Sequence, residues 1–160
     1  MGERGFLEFV HSEINKTGVP PACLCFEVTE TAAVAKIESA VRFMDSVRSI
    51  GCSFSLDDFG SGTSSFGYLK RLPVDYLKID GAIIRDMVTD ETSAAMVLAI
   101  NQVGHTMNLR TIAEYVESAA IMEHLREIGV DYAQGFEVGV PVPFADRLQE
   151  VMVAPTAVAS

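Results

Sequence analysis

Tryptophan is absent from this 160-residue chain, cysteine occurs only three times, and 12 Lys and Arg stand against 22 Asp and Glu. Each shortage excludes something. Cys23, Cys25 and Cys52 form no disulfide-rich framework and include no second pair at zinc-ligand spacing. Their apolar settings predict buried, reduced thiols. A net charge of −10 leaves no basic stripe for a phosphate backbone, which argues against a polymeric nucleic acid as partner. An anionic ligand would therefore need a cation between itself and the protein. No apolar run approaches the roughly 18 residues of a membrane span, and the start, Met1-Gly2-Glu3-Arg4-Gly5, lacks a basic-then-apolar leader. The expectation is a cytoplasmic domain without membrane contact.

What is present is apolar residue in quantity: 49% of the chain, enough for one packed domain and too much for disorder. That domain is expected over residues 1–153, with a frayed tail at 154–160. Short β-prone runs alternate with longer segments of helical period, the pattern of βα units around a parallel sheet. A helix over 6–16 should stop at Gly18 before Pro20 and Pro21. Strands are expected at 24–28, 53–57, 75–79, 110–114 and 131–134. Between the first two, Val34, Ile37, Val41, Met44 and Val47 mark one helix face, closed by Gly51. Met96, Ile100, Val103 and Met107 form a stripe read as core. Ser118 is placed to cap a helix carrying Ile121, Leu125 and Ile128, which Gly129 ends. A Gly/Ser-rich loop spans 59–66, and a last short helix holds Phe144 and Leu148.

Every expected strand ends in chemically loaded side chains: Glu27 with Glu30, Asp57 with Asp58, Lys78 with Asp80, Glu114 with Glu117, and Gln134. In parallel α/β folds that edge forms the active face. Residues two apart on a strand point the same way. Cys25, Glu27 and Thr29 thus share a face opposite Leu24, Phe26 and Val28. Tyr76, Lys78 and Asp80 oppose Leu77 and Ile79, Ile112 goes with Glu114, and Tyr132 with Gln134. Four strands aim polar groups at one interior.

Several carboxylates and one lysine in such an interior are costly unless neutralised. The donors offered are oxygens, and His11, His105 and His124 all fall on expected helices, so hard Mg²⁺ or Mn²⁺ is favoured over Zn²⁺. The adjacent Asp57 and Asp58 suit a two-metal site, where one carboxylate bridges ions about 4 Å apart. Lys78 could meet the attacking water or a phosphate as a point charge. Glu114 is the candidate general base or a further metal contact. Glu30 and Glu117, just past their strands, are read as supports for neighbouring loops.

The segments Phe26-Glu27-Val28-Thr29-Glu30-Thr31, Leu56-Asp57-Asp58-Phe59-Gly60-Ser61-Gly62, Leu72-Pro73-Val74-Asp75-Tyr76-Leu77-Lys78-Ile79-Asp80, Ile112-Ala113-Glu114-Tyr115-Val116-Glu117 and Gln134-Gly135-Phe136 resemble, in order and spacing, successive motifs of EAL domains. The resemblance covers nearly the whole chain. It implies an α/β fold, a partial TIM-type (β/α) barrel made of about the last five βα units of a modified eight-stranded barrel. It also implies hydrolysis of cyclic di-GMP to the linear dinucleotide pGpG with Mg²⁺ or Mn²⁺, commonly by a homodimer. Glu27, Asp57 and Asp58 would be metal ligands, and Lys78 and Glu114 would act on the attacking water. Glu30 would brace the loop after Asp58 and Gln134 would line the site; Glu117, from its position just past the strand end rather than from the resemblance, is grouped with them at the cyclic di-GMP site.

Three departures stand out. Thr63 occupies a loop position where the family usually has an aromatic or apolar residue. Tyr115 replaces the common Gly after Glu114, where its bulk is expected to narrow the site. The Glu-Ala-Leu signature and the Asn of the next strand belong N-terminal to residue 1. A complete βα barrel takes about 250 residues, so the chain reads as part of a larger polypeptide with an incomplete active site, inactive in isolation. An alternative within the resemblance is a degenerate EAL module that binds cyclic di-GMP or a protein without catalysis. From another class comes a receiver-like phosphoacceptor domain, opposed by the acidic pair following the second strand and by the absence of Pro after Lys78.

Overall fold

The computed structural model of the chain describes residues 3–62 and 66–147. The expected tail at 154–160, Leu148 of the last helix and the Thr63 position lie outside the described residues. Helix α1 (Glu3–Thr17) ends where Gly18 turns left-handed at φ 71° and its amide returns to Ile14 O. A 3₁₀ turn over Pro21–Cys23 leads into β1 (Cys25–Thr29). Then come α2 (Glu30–Ala35), α3 (Ile37–Arg48), β2 (Ser53–Phe59), α4 (Phe66–Leu69) and β3 (Tyr76–Ile79). The chain continues through α5 (Gly81–Asp86), α6 (Glu91–Thr106), β4 (Arg110–Ala113), α7 (Ala119–Ile128) and β5 (Tyr132–Ala133).

The five strands are parallel and lie in chain order, β1-β2-β3-β4-β5. A sheet that advances one neighbour at a time without reversing is wound like a barrel wall. A receiver-type sheet reverses at its switch point, so this order excludes that alternative. Helices cover one face, on which Phe54, Leu56, Leu77, Ile79, Thr111 and Ala113 are buried. Four rings, Phe6, Phe26, Phe43 and Phe54, meet there with centroids 5.7–6.0 Å apart. A phenylalanine as fully covered as Phe54 contributes about 2–3 kcal/mol by burial.

Caps written in the sequence set the helix starts. Thr29, Asp80, Asp90 and Ser118 accept, respectively, from the amides of Ala32, Ala82, Thr92 with Ser93, and Ile121. Asp80, expected among the strand-end polar groups, thus caps α5.

Several expectations are corrected. The stretch from Val34 to Val47 is two helices, interrupted at Lys36 (φ −145°, ψ 57°), and Val34 is exposed. Met96 is also exposed, because the buried face of α6 runs through Val97, Ile100, Asn101 and Gly104. Of the thiols only Cys52 is buried. Cys25 lies on the edge strand β1, where no layer among the described residues covers it, and Cys23 lies in the turn before it.

Two aspartates lock the N-terminal ends of the strands. Asp75 Oδ2 accepts from Phe54 N at 2.9 Å and from Arg48 Nη1 at 2.5 Å. Asp131 Oδ2 accepts from Thr111 N at 2.8 Å and pairs with His105 Nε2 at 2.8 Å. Both sit in the same tripeptide, Val74-Asp75-Tyr76 and Val130-Asp131-Tyr132, immediately before β3 and β5. Burial works against the Asp131 charge, but the Thr111 amide and His105 outweigh it and hold the carboxyl below the ordinary range.

An acid lowered in the folded state stabilises above its unfolded pKa and loses that contribution as pH falls through its folded value. Asp131→Asn should therefore cost about 2 kcal/mol at pH 7, the scale of hydrogen bonds to a charged group. The cost should shrink as pH drops below about 4, where the unfolded aspartate begins to protonate. Urea unfolding of both proteins at the two pH values checks this. A pH-independent difference would contradict it.

Candidate metal and phosphate site

The interior face of the sheet gathers its charges at the C-terminal strand ends. Lys78 on β3 is buried, with 4% of its side chain exposed, and its Nζ lies 2.8 Å from Asp57 Oδ1, 2.8 Å from Glu114 Oε1 and 3.3 Å from Glu27 Oε1. Strand alternation alone places Glu27, Lys78 and Glu114 together. It does not explain Asp57 and Asp58, since adjacent residues on a regular strand point apart.

The cause is a bulge. Leu56 pairs with Leu77 and Phe59 with Ile79, so two residues of β2 stand opposite Lys78 alone. Asp58 takes φ 58°, a left-handed conformation that Asp tolerates better than most residues. This brings carboxylate oxygens of Asp57, Asp58 and Glu114 within 4.8 Å of one another.

The charges are unequal in their comfort. Burial lowers the affinity of Lys78 for its proton, yet the Asp57 and Glu114 carboxylates, each 2.8 Å away, prevail, and the ammonium is held well above the ordinary lysine range. Burial pushes the Glu114 carboxyl up, aided by repulsion from Asp57 and Asp58 and opposed by Lys78. Asp58 is pushed up by burial, then by Asp57 and Asp80. One ammonium thus faces four carboxylates.

Does a divalent cation fit? Asp57 Oδ1 is buried and has no hydrogen bond of acceptable direction, although Lys78 Nζ is close. We read that contact as ionic rather than directed, which leaves an oxygen lone pair available. With oxygen donors from Asp57, Asp58 and Glu114, the set fits a hard cation of the Mg²⁺ or Mn²⁺ kind.

The remaining expected residues separate into two groups. Glu30 is buried, its carboxylate accepting from Gly60 N at 3.3 Å and from the Tyr68 hydroxyl. Gln134 and Glu117 stand beside Glu114 around a shallow cavity of about 240 Å³, completed by Tyr115, Gly135 and Phe136. Tyr115, at φ 50°, explains why glycine suits that position. Its ring lies against the Cα of Gly81 and under Arg85, 5.3 Å from ring centroid to guanidinium. Tyr115 thus borders the cavity while leaning on α5. Tyr68 was not foreseen, because nothing in its spacing distinguishes it from a core aromatic.

The EAL domain family model matches residues 1–141. The cyclic di-GMP phosphodiesterase PdeB of Shewanella oneidensis is 39% identical over 150 residues, 94% of this chain and 18% of that protein. Among solved structures, a Pseudomonas aeruginosa MucR phosphodiesterase in complex with c-di-GMP superposes with a TM-score of 0.85 at 37% identity, covering 89% of this chain and 58% of that one. The EAL domain of Mycobacterium smegmatis DcpA gives 0.84 at 31%, covering 92% and 66%. The chain belongs to the EAL domain family. It spans about a fifth of the length of the curated relatives it matches. Its five-stranded parallel sheet corresponds to part of their TIM-barrel-like fold.

Asp58→Asn should separate stability from site chemistry. Asn keeps the left-handed backbone and removes one crowded charge, while solvent screening keeps the gain under about 1 kcal/mol. In chelator at pH 7 the variant should melt about 1–3 °C higher than the parent. A lower melting temperature would mean that Asp58 is structural.

Proposed function

We propose that this chain carries most of the metal and water site of a cyclic di-GMP phosphodiesterase. The single observation behind this reading is the bulge that turns Asp57 and Asp58 to the same side, against Lys78 and Glu114. Adjacent carboxylates aimed into one interior raise the electrostatic cost of folding, and a ligand that neutralises them gives that cost a purpose. Names of relatives add the substrate: PdeB and the MucR structure are described with cyclic di-GMP.

In this reading Glu27, Asp57 and Asp58 hold Mg²⁺ or Mn²⁺, with Glu114 as a further contact. Bound there, the cation supplies Lewis acidity toward a phosphoryl oxygen and acidifies a water. Lys78, already fixed by Asp57 and Glu114, keeps its proton and offers a positive charge to the phosphate or to the attacking water. Glu114 accepts the water proton. Gln134 and Glu117 bound the neighbouring cavity and orient the nucleotide, and Glu30 steadies the loop that follows Asp58. The homodimer of the complete domain belongs to the same reading.

No Glu-Ala-Leu occurs in the 160 residues. Turnover in this reading requires the strands that bear that Glu and the following Asn.

Calorimetry with cyclic di-GMP should show binding at least about tenfold tighter in Mg²⁺ than in chelator, because phosphates and carboxylates repel across a poorly solvated interior. Lys78→Ala should weaken binding less than chelation does. In a domain completed with the Glu-Ala-Leu strands, Asp57→Asn should lower kcat by about 10³ or more. Equal affinity in chelator, or parental turnover by the variant, would overturn the reading.

A further inference from the structure

Two adjacent strand ends are joined by one aromatic ring. Tyr115 directly follows Glu114, and its ring is seated on α5, the helix that Asp80 starts two residues after Lys78. The seat is tight. A Cβ added at Gly81 would stand 2.7 Å from Tyr115 Cγ and 2.9 Å from its Cβ, so glycine leaves the room that the ring takes. Arg85 closes over the ring with its guanidinium 5.3 Å from the centroid, while its Nε donates to Gly81 O at 3.3 Å. On the far side the chain is gripped again. Val116 N donates to Gln134 O and Val116 O accepts from Glu137 N, each at 3.0 Å, and a Cβ at Gly135 would meet the Val116 carbonyl carbon at 2.7 Å. Tyr115, at φ 50°, thus sits in a conformation that favours glycine, between two clamps that over-determine it.

We propose that Tyr115 is a positioning residue for Glu114. Backbone pairing thins at this level, where the bond from Glu114 N to Ile79 O is 3.3 Å, long for a ladder. Past it, the ring on Gly81 and under Arg85 holds the end of β4 against the end of β3, and so fixes the 2.8 Å contact between Glu114 Oε1 and Lys78 Nζ. Gly81 and Tyr115 are a matched pair, the first small because the second is large. The ring acts through Glu114, not on the reacting atoms. What the Glu114–Lys78 contact does in catalysis rests on the metal and water reading above; that the ring sets the contact does not.

The test uses the full chain in chelator, so that no cation contributes. Tyr115→Gly suits a positive φ and removes the ring alone, whereas Tyr115→Phe keeps the ring. Hydrogen exchange followed by NMR reads two places, the Glu114 amide and the Lys78 ammonium, whose protons the neighbouring carboxylates protect. Tyr115→Gly should speed both by about tenfold while amides lower in β3 and β4 keep parental rates, the pattern of a local opening. Tyr115→Phe should exchange like the parent. Gly81→Ala should loosen the same two groups in the parent and add nothing in the Tyr115→Gly background, the non-additivity of two residues in contact. Parental exchange at Glu114 or at Lys78 in Tyr115→Gly would overturn the proposal. So would acceleration spread evenly through β3 and β4, which a purely structural role predicts, or a Gly81→Ala effect of equal size with and without the ring. Failure of the completed domain to turn over cyclic di-GMP would remove the catalytic reading instead, with these exchange rates still deciding what holds Glu114.

Discussion

Lys78 Nζ sits on the interior side of β3, and its charge remains there because Asp57 and Glu114 each approach to 2.8 Å. Lys78 stays compensated if one of them is removed, because Glu27 also lies 3.3 Å away, whereas removing Lys78 would leave the carboxylates without their buried counter-charge. The arrangement is overloaded with negative charge, as four carboxylates face one ammonium. A protein built for stability alone would replace some of them with apolar residues. Packing gives no account of their crowding beside an oxygen of Asp57 that receives no directed hydrogen bond.

The rest of the chain holds this cluster still. Asp75 and Asp131 fasten Phe54 and Thr111 at the N-terminal ends of β2 and β4, which sets the register of the strands bearing Asp57 and Glu114. At the opposite ends, Thr29 and Asp80 start α2 and α5 immediately after β1 and β3. Glu30 and Gly81 are placed by those starts. Glu30 then receives Gly60, and Gly81 receives the Tyr115 ring, so the loops after β2 and β4 are each anchored to the helix beside them.

Much of this could be read from the residues themselves. Alternation in Cys25-Phe26-Glu27-Val28-Thr29 and in Tyr76-Leu77-Lys78-Ile79 foretold which side chains face inward, because a period of two is a local property of extended backbone. The βα alternation likewise foretold a parallel sheet. The shared direction of Asp57 and Asp58 was not readable as geometry, since it arises from a bulge defined only by pairing with β3. Met96 was misread for a related reason: the helical stripe can be drawn through Met96 or through Val97, and only packing against the sheet chooses. Cys25 was misjudged because apolar neighbours in sequence say nothing about whether a facing layer is present. The repeated Val-Asp-Tyr was in plain view, but its meaning lies in amides contributed by strands some 20 residues away.

The central claim is that the interior cluster is built to hold a divalent cation on Asp57 and Asp58. Anomalous diffraction from crystals of the chain soaked in Mn²⁺ tests it most directly, because manganese scatters anomalously and Mg²⁺ does not usefully do so. The account predicts a peak in contact with carboxylate oxygens of Asp57 and Asp58, next to Lys78 and Glu114. Full ion occupancy elsewhere on the acidic surface, with Lys78 still alone among the four carboxylates, would contradict it.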